Sequence, residues 1–196
     1  MSELREEEIL VFPYNKILVP YDGSKPSENA LQQAIQLVND VLACRREATT
    51  NSMQGGIQII LLHVIEEIHV HIPNMYIGLR IIAGKPLKEF FKEVYEEMRN
   101  EASKMLDDTK KRIESSIQID SNKGDTKLSP PFVTIIPQVI IGNPTEDIID
   151  IANNKQKVDL IMMGSTGLKG ISKVRVLGSV SRLVCENANC PVMLVH

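Results

Sequence analysis

At 196 residues the chain is long enough for one well-buried core, and a single domain is the expected count. Hydrophobic residues at 43% and charged residues at 24% are ordinary globular values, which argue against disordered, fibrous and membrane classes. A net charge of −3 supplies no basic footprint for a nucleic-acid backbone, so no polynucleotide partner is expected.

No run approaches the roughly 20 apolar residues of a membrane-spanning helix, and the start MSELREEEIL is acidic where a secretory signal needs a basic lead. A cytoplasmic location is the expectation. Cys44, Cys185 and Cys190 show no C-x-x-C spacing, so neither a disulfide framework nor a zinc site is indicated. Cys185 and Cys190 lie among apolar residues and are expected to be buried as small hydrophobes.

After an acidic tail over residues 1–15, residues 16–21 (KILVPY) form an apolar run stopped by Asp22-Gly23-Ser24, the pattern of a strand buried on both faces. Ser24 is placed to cap a helix with Pro26 in its first turn. Ala30, Leu31, Ala34, Ile35, Val38 and Leu42 then recur at helical spacing. Residues 44–56 lose this period and read as a polar insertion. Residues 57–65 (IQIILLHVI) read as a second buried strand. No pattern is clear from there to Lys85; beyond it Phe91, Val94, Tyr95, Met98, Ala102, Met105, Leu106 and Ile113 share one face of a single long helix. A second polar insertion covers residues 118–131. Residues 132–141 read as a third strand whose Pro137 points to an edge or a bulge.

Gly142-Asn143-Pro144 closes that strand and opens a helix, with Asn143 as cap and Glu146 and Asp147 suited to the helix dipole. Residues 158–163 (VDLIMM) give a fourth strand, a helix begins near Gly178, and residues 191–195 give a fifth strand. Five strands alternating with four helices predict an α/β fold: a doubly wound five-stranded parallel sheet, Rossmann-like, with helices on both faces. Ligands in such folds bind beyond the carboxyl ends of the strands, where the strand order reverses. The loops after strands one and four are the places to look for chemistry.

The richest loop runs Gly164-Ser165-Thr166-Gly167-Leu168-Lys169-Gly170, and Gly178-Ser179 follows before a helical pattern. Glycines let backbone approach a ligand closely, and free N–H groups at a helix start attract phosphate. Ser165, Thr166 and Ser179 add hydroxyls, while Lys169, Lys173 and Arg175 either neutralise phosphate or form a solvated loop surface. The Walker pattern and the G-x-G-x-x-G fingerprint are both absent, which argues against motor ATPases and dehydrogenases. His69 and His71 near His63 suggest metal ligands only superficially, and a solvated segment is the expectation.

The segments KILVPYDGSKPSENAL, IILLHVIEE, IGNPTEDIIDIA and DLIMMGSTGLKGISKVRVLGSVSRLVCENANCPVMLV make the chain resemble the universal stress protein family over residues 16–195. The resemblance implies an adenine nucleotide alpha hydrolase-like fold and a site for ATP, ADP or AMP. Pro20, Tyr21 and Asp22 would lie at the first strand's exit, with Asp22 facing the ribose or a phosphate-bound Mg²⁺ ion. Val64, after strand two, would set backbone hydrogen bonds on adenine, and Met163 would line the pocket. Gly164, Gly167, Gly178, Ser179 and Val180 would wrap the phosphates. Without the resemblance, Asp22 is a turn residue at an Asp-Gly bend and Val64 is core.

The family's ATP-binding members carry G-x-x-G, nine residues, then G-S or G-T. Here ten residues, 168–177, separate Gly167 from Gly178, which should loosen the grip on the terminal phosphates. No attacking nucleophile or positioned base stands out. The resulting expectation is a nucleotide-binding stress-response regulator with at most slow hydrolysis, dimerising through its last strand. The alternatives are a dimeric interaction module that binds no nucleotide, and an adenylating enzyme. The second would need an S-G-G-x-D-S loop where Asp22-Gly23-Ser24-Lys25 stands.

Overall fold

The computed structural model describes residues 14–47, 56–68, 81–82, 85–118, 133–167 and 177–196. Its main sheet is built from β1 (Lys16–Pro20), β2 (Ile57–Glu66), β5 (Val133–Gly142), β6 (Leu160–Gly164) and β7 (Val192–Val195). All neighbours pair in parallel, in the order β5-β2-β1-β6-β7. Between β2 and β5 lie a short antiparallel pair, β3 (Ile81–Ile82) with β4 (Lys85–Pro86), and the long helix α2 (Leu87–Gln118). The small pair falls in the stretch where the sequence shows no clear pattern. The remaining helices are α1 (Lys25–Glu47), α3 (Pro144–Asp150), which continues into a π-helical turn at Ile151–Lys155, and α4 (Ser179–Asn187).

The strand side chains alternate between two cores, as burial on both faces demands. Ile17, Val19, Ile57, Ile59, Leu61, Leu160 and Met162 pack with Leu31, Ala34 and Val38 of α1 and Leu106 and Ile113 of α2. Leu18, Ile60, Leu62, Ile161 and Met163 pack on the opposite face with Ile148 and Ile151 of the α3 segment and Val184 of α4. Ile17, Leu18 and Val19 have no exposed surface, and each such side chain contributes about 1.5–3 kcal/mol of burial free energy.

The helix starts follow the expected chemistry. The Ser27 N–H donates to Ser24 Oγ at 3.3 Å, and the Thr145 N–H donates to Asn143 Oδ1 at 2.9 Å with Pro144 in the first turn. Pro137 sits in β5, an edge strand, and stays in register opposite Leu61. The polar insertion expected from residue 44 begins later, because α1 runs to Glu47; residues 48–55 and 119–131 of the two insertions, and residue 132 at the expected start of the third strand, lie outside the described residues. Cys185 departs from its expected burial and is exposed, whereas Cys190 is half-buried. The inward positions of α4 are Ser181 and Val184, and the residue after Val184 turns to solvent.

Candidate functional site

The order of the sheet reverses between β1 and β6, and that is where the ladder opens. Lys16 accepts from the Asp159 N–H on the β6 side, while the Tyr21 N–H donates to the Leu62 carbonyl of β2. Backbone groups alternate along a strand, so Pro20 faces β6, where proline has no N–H to give. The β1–β6 ladder accordingly holds Ile17–Leu160 and Leu18–Ile161 and stops, while β1 stays paired with β2 through Pro20–Leu62. A gap between β1 and β6 is thus written into the carboxyl end of the sheet.

Asp22 and Gly23 turn the chain above this gap. The Ser24 N–H donates to Asp22 Oδ1 at 3.0 Å, and Gly23 adopts φ +77°, a conformation side chains rarely tolerate. Asp22 is therefore the turn residue that its Asp-Gly neighbourhood suggests, with Oδ1 serving the turn. The other, Oδ2, faces Gly167 across the gap: a Cβ on Gly167 would stand 2.9 Å from it. The structure brings these two residues together.

Gly164 plays a different part. A Cβ there would lie 2.8 Å from Pro26 C and 2.9 Å from Ser27 N, so its bareness lets β6 pack against the first turn of α1. The space before its α-carbon is filled by protein. Met163 is buried in the core shared with α3 and α4.

Val64 lies inside β2 rather than after it, since the strand runs on to Glu66. Leu62 turns its carbonyl toward β1, and Val64, two residues on, presents its main chain to the same side, where β1 has already ended at Pro20. Its side chain packs half-buried on the α3–α4 core. Tyr21 turns its ring the other way, into the core beneath α1 and α2. Its hydroxyl donates to Glu28 Oε2 at 2.8 Å, and Arg112 of α2 holds both oxygens of that carboxylate at 2.7 and 2.8 Å. Burial and the Glu28 carboxylate push the Tyr21 phenol above its ordinary value. The main chain of Tyr21 is likewise turned to β2 rather than to the gap: its N–H donates to the Leu62 carbonyl at 2.7 Å and its carbonyl accepts from His63 Nδ1 at 2.8 Å.

Gly178 is the N-cap of α4 and brings no side-chain acceptor, so the first-turn N–H groups of Ser179 and Val180 begin a helix without a side-chain cap. That is the arrangement that favours an anion. Ser179 is exposed there, and Val180 is half-buried. Ser165, one of the three hydroxyls the sequence adds to this loop, is committed within the fold. It is 2% exposed and wired on every side. Its N–H donates to the Val195 carbonyl at 2.8 Å, and its carbonyl accepts from the Gly178 N–H and Ser181 Oγ, each at 2.8 Å. Its hydroxyl bonds His196 Nδ1 at 2.7 Å. The wiring of Ser165 and the Glu28–Arg112 clamp join residues 31 and 84 positions apart, and no local pattern signals either. Lys169, Lys173, Arg175, His69 and His71 lie outside the described residues.

This geometry defines a class: a parallel α/β domain whose strand-order reversal carries an acidic turn, a close-approach glycine and a glycine-capped helix start. The universal stress protein family model matches residues 13–196, and the chain belongs to that family. Universal stress protein MJ0577 of Methanocaldococcus jannaschii is 29% identical over 184 residues, spanning 93% of this chain and 94% of that protein. A solved structure of MJ0577 aligns with TM-score 0.62 and 26% identity, covering 93% of this chain and 96% of its own. The UspA structure from Lactobacillus plantarum aligns at TM-score 0.65 with 20% identity, over 93% and 98% of the two chains. A universal stress protein crystallised in complex with cAMP aligns at TM-score 0.51 and 19% identity, over 94% and 98%. No helix among the described residues is long and apolar enough to cross a membrane.

Proposed function

We propose that this protein binds ATP or a related adenine nucleotide, ADP or AMP, in the gap between β1 and β6 and acts as a stress-response regulator. The observation that carries the reading is the approach of Asp22 Oδ2 to Gly167 above the ladder break at Pro20, beside the glycine-capped start of α4. The residues suit such a ligand. Gly167, Gly178, Ser179 and Val180 offer bare backbone and helix-start N–H donors to phosphate, and the Val64 main chain offers a hydrogen-bonding edge to adenine. Asp22 is a single carboxylate at the mouth of the gap, its Oδ1 accepting from the Ser24 N–H. That suits Mg²⁺, which keeps most of its waters and takes one or two carboxylates plus phosphate oxygens. Bound there, the ion would neutralise phosphate charge. The relative crystallised with cAMP supports the idea that this fold can seat an adenine nucleotide.

Among the described residues no side chain around the gap combines a nucleophile with a positioned base; in this reading hydrolysis is at most slow and the bound nucleotide acts as a signal. We place this action in the cytoplasm, where adenine nucleotides are abundant. The active species is a homodimer through β7. Pro191 and Val195 direct their carbonyls to β6, accepting from Ile161 and Ser165, so Val192 and Leu194 direct their backbone groups to the open edge. An unpaired apolar edge invites association.

The test is direct: denature the purified protein, identify released nucleotide by chromatography and mass, and titrate emptied protein with ATP and Mg²⁺ by calorimetry. An adenine nucleotide in the supernatant and saturable ATP binding support the reading. Silence in both, at millimolar ATP, overturns it in favour of an interaction module.

A further inference from the structure

We propose that His196 is a positioning residue for the phosphate-binding backbone, acting through Ser165; the inference rests on the nucleotide reading above. Ser165 is the neck of the glycine loop. Its carbonyl gathers the Gly178 N–H and the Ser181 hydroxyl, so the exit of β6 and the cap of α4 are fixed to one another. What orients Ser165 comes from two sides. The β7 ladder holds its N–H through Val195, and the ring of His196 holds its hydroxyl at 2.7 Å.

His196 is itself anchored, although it is exposed to solvent. Its carbonyl accepts from Asn29 Nδ2 of α1 at 2.7 Å. The chain of contacts therefore runs from the second turn of α1, through His196 and Ser165, to Gly178. That last residue sets the direction of the Ser179 and Val180 N–H groups. The hydroxyl of a serine only 2% exposed is costly to leave without a partner, so the ring is not a casual neighbour. Removing it frees the Ser165 rotamer and loosens the neck, while the Val64 side of the crevice is untouched.

This separates phosphate from adenosine. In His196→Ala, affinity for ATP should fall about tenfold, the size of one lost buried hydrogen bond, with affinity for adenosine unchanged. Amide exchange at Gly178 should quicken by a similar factor. His196→Asn, whose side-chain amide reaches the place of Nδ1, should restore both. Calorimetry with ATP and adenosine and exchange by NMR read these outcomes. If His196→Ala binds ATP as the wild type does, or loses ATP and adenosine alike, the positioning role is overturned. Unchanged exchange at Gly178 overturns it as well. Failure of the nucleotide reading is told apart beforehand, because the wild type would then bind neither ATP nor adenosine, and the claim on phosphate falls with it.

Discussion

The carboxylate of Asp22 and the α-carbon of Gly167 face each other across the β1–β6 gap, so closely that one methyl group on Gly167 would press within 2.9 Å of Asp22 Oδ2. The carboxylate end of a side chain can swing aside. Gly167→Ala should therefore cost under about 1 kcal/mol of stability while weakening Mg²⁺-dependent ATP binding about tenfold. Gly164→Ala meets main chain of Pro26 and Ser27 instead and should destabilise by about 1–3 kcal/mol, with or without nucleotide. Urea unfolding with and without MgATP separates the two. Equal destabilisation by both substitutions would defeat the distinction.

Pro20 offers a second handle. Ile161 faces β7, so the Met162 carbonyl faces β1 and is the acceptor a non-proline residue at position 20 would find. Pro20→Val should extend the β1–β6 ladder, leave stability within about 1 kcal/mol of wild type, and lower nucleotide affinity by closing the gap. Unchanged affinity measured by calorimetry would remove the gap from the site.

The Glu28–Arg112 clamp predicts a pH dependence. The Arg112 guanidinium holds the Glu28 carboxyl below the usual carboxylate range, outweighing the opposing effect of burial, and Tyr21 adds a hydrogen bond in the same sense. A depressed carboxyl contributes stability above its unfolded pKa and loses it as pH falls through the folded one. Because the Arg112 side chain is 56% exposed, Arg112→Ala should cost only about 1 kcal/mol near neutrality. In denaturant titrations that difference should shrink toward zero under strongly acidic conditions. A difference that grows on acidification would contradict the sign.

The proposed dimer now has a sharper test than the sequence allows. Val192 and Leu194, apolar residues of an expected edge strand, pack on the core of α3 and α4, whereas Met193 is 42% exposed on the opposite face. Val192→Lys should unfold the domain. Met193→Lys should leave it folded and shift sedimentation toward the monomer. A wild type that sediments as a monomer at tens of micromolar refutes the proposal.

Much of this was legible in the residues. Strands buried on both faces announce themselves as continuous apolar runs, and Asn143-Pro144 marks a helix start because both side chains have a defined task there. The glycine loop could be found but its glycines could not be told apart, since whether a missing Cβ makes room for a ligand, as proposed at Gly167, or for Pro26, as at Gly164, depends on packing between distant segments. Tyr21 shows the same limit. Its place beside Asp22 suggests the site, but Glu28 and the core beneath α1 and α2 draw the ring away. Long-range partners such as His196 for Ser165 leave no local period to read.

The closed neck between Ser165 and Gly178 has a consequence for how such a loop can change. With the two ends held by a 2.8 Å hydrogen bond, residues added or removed between them should alter closure entropy only slowly, and β6 and α4 need not shift to accommodate them. Chains sharing this neck could trade whole loop tips, and with them ligand preference, without renegotiating the fold.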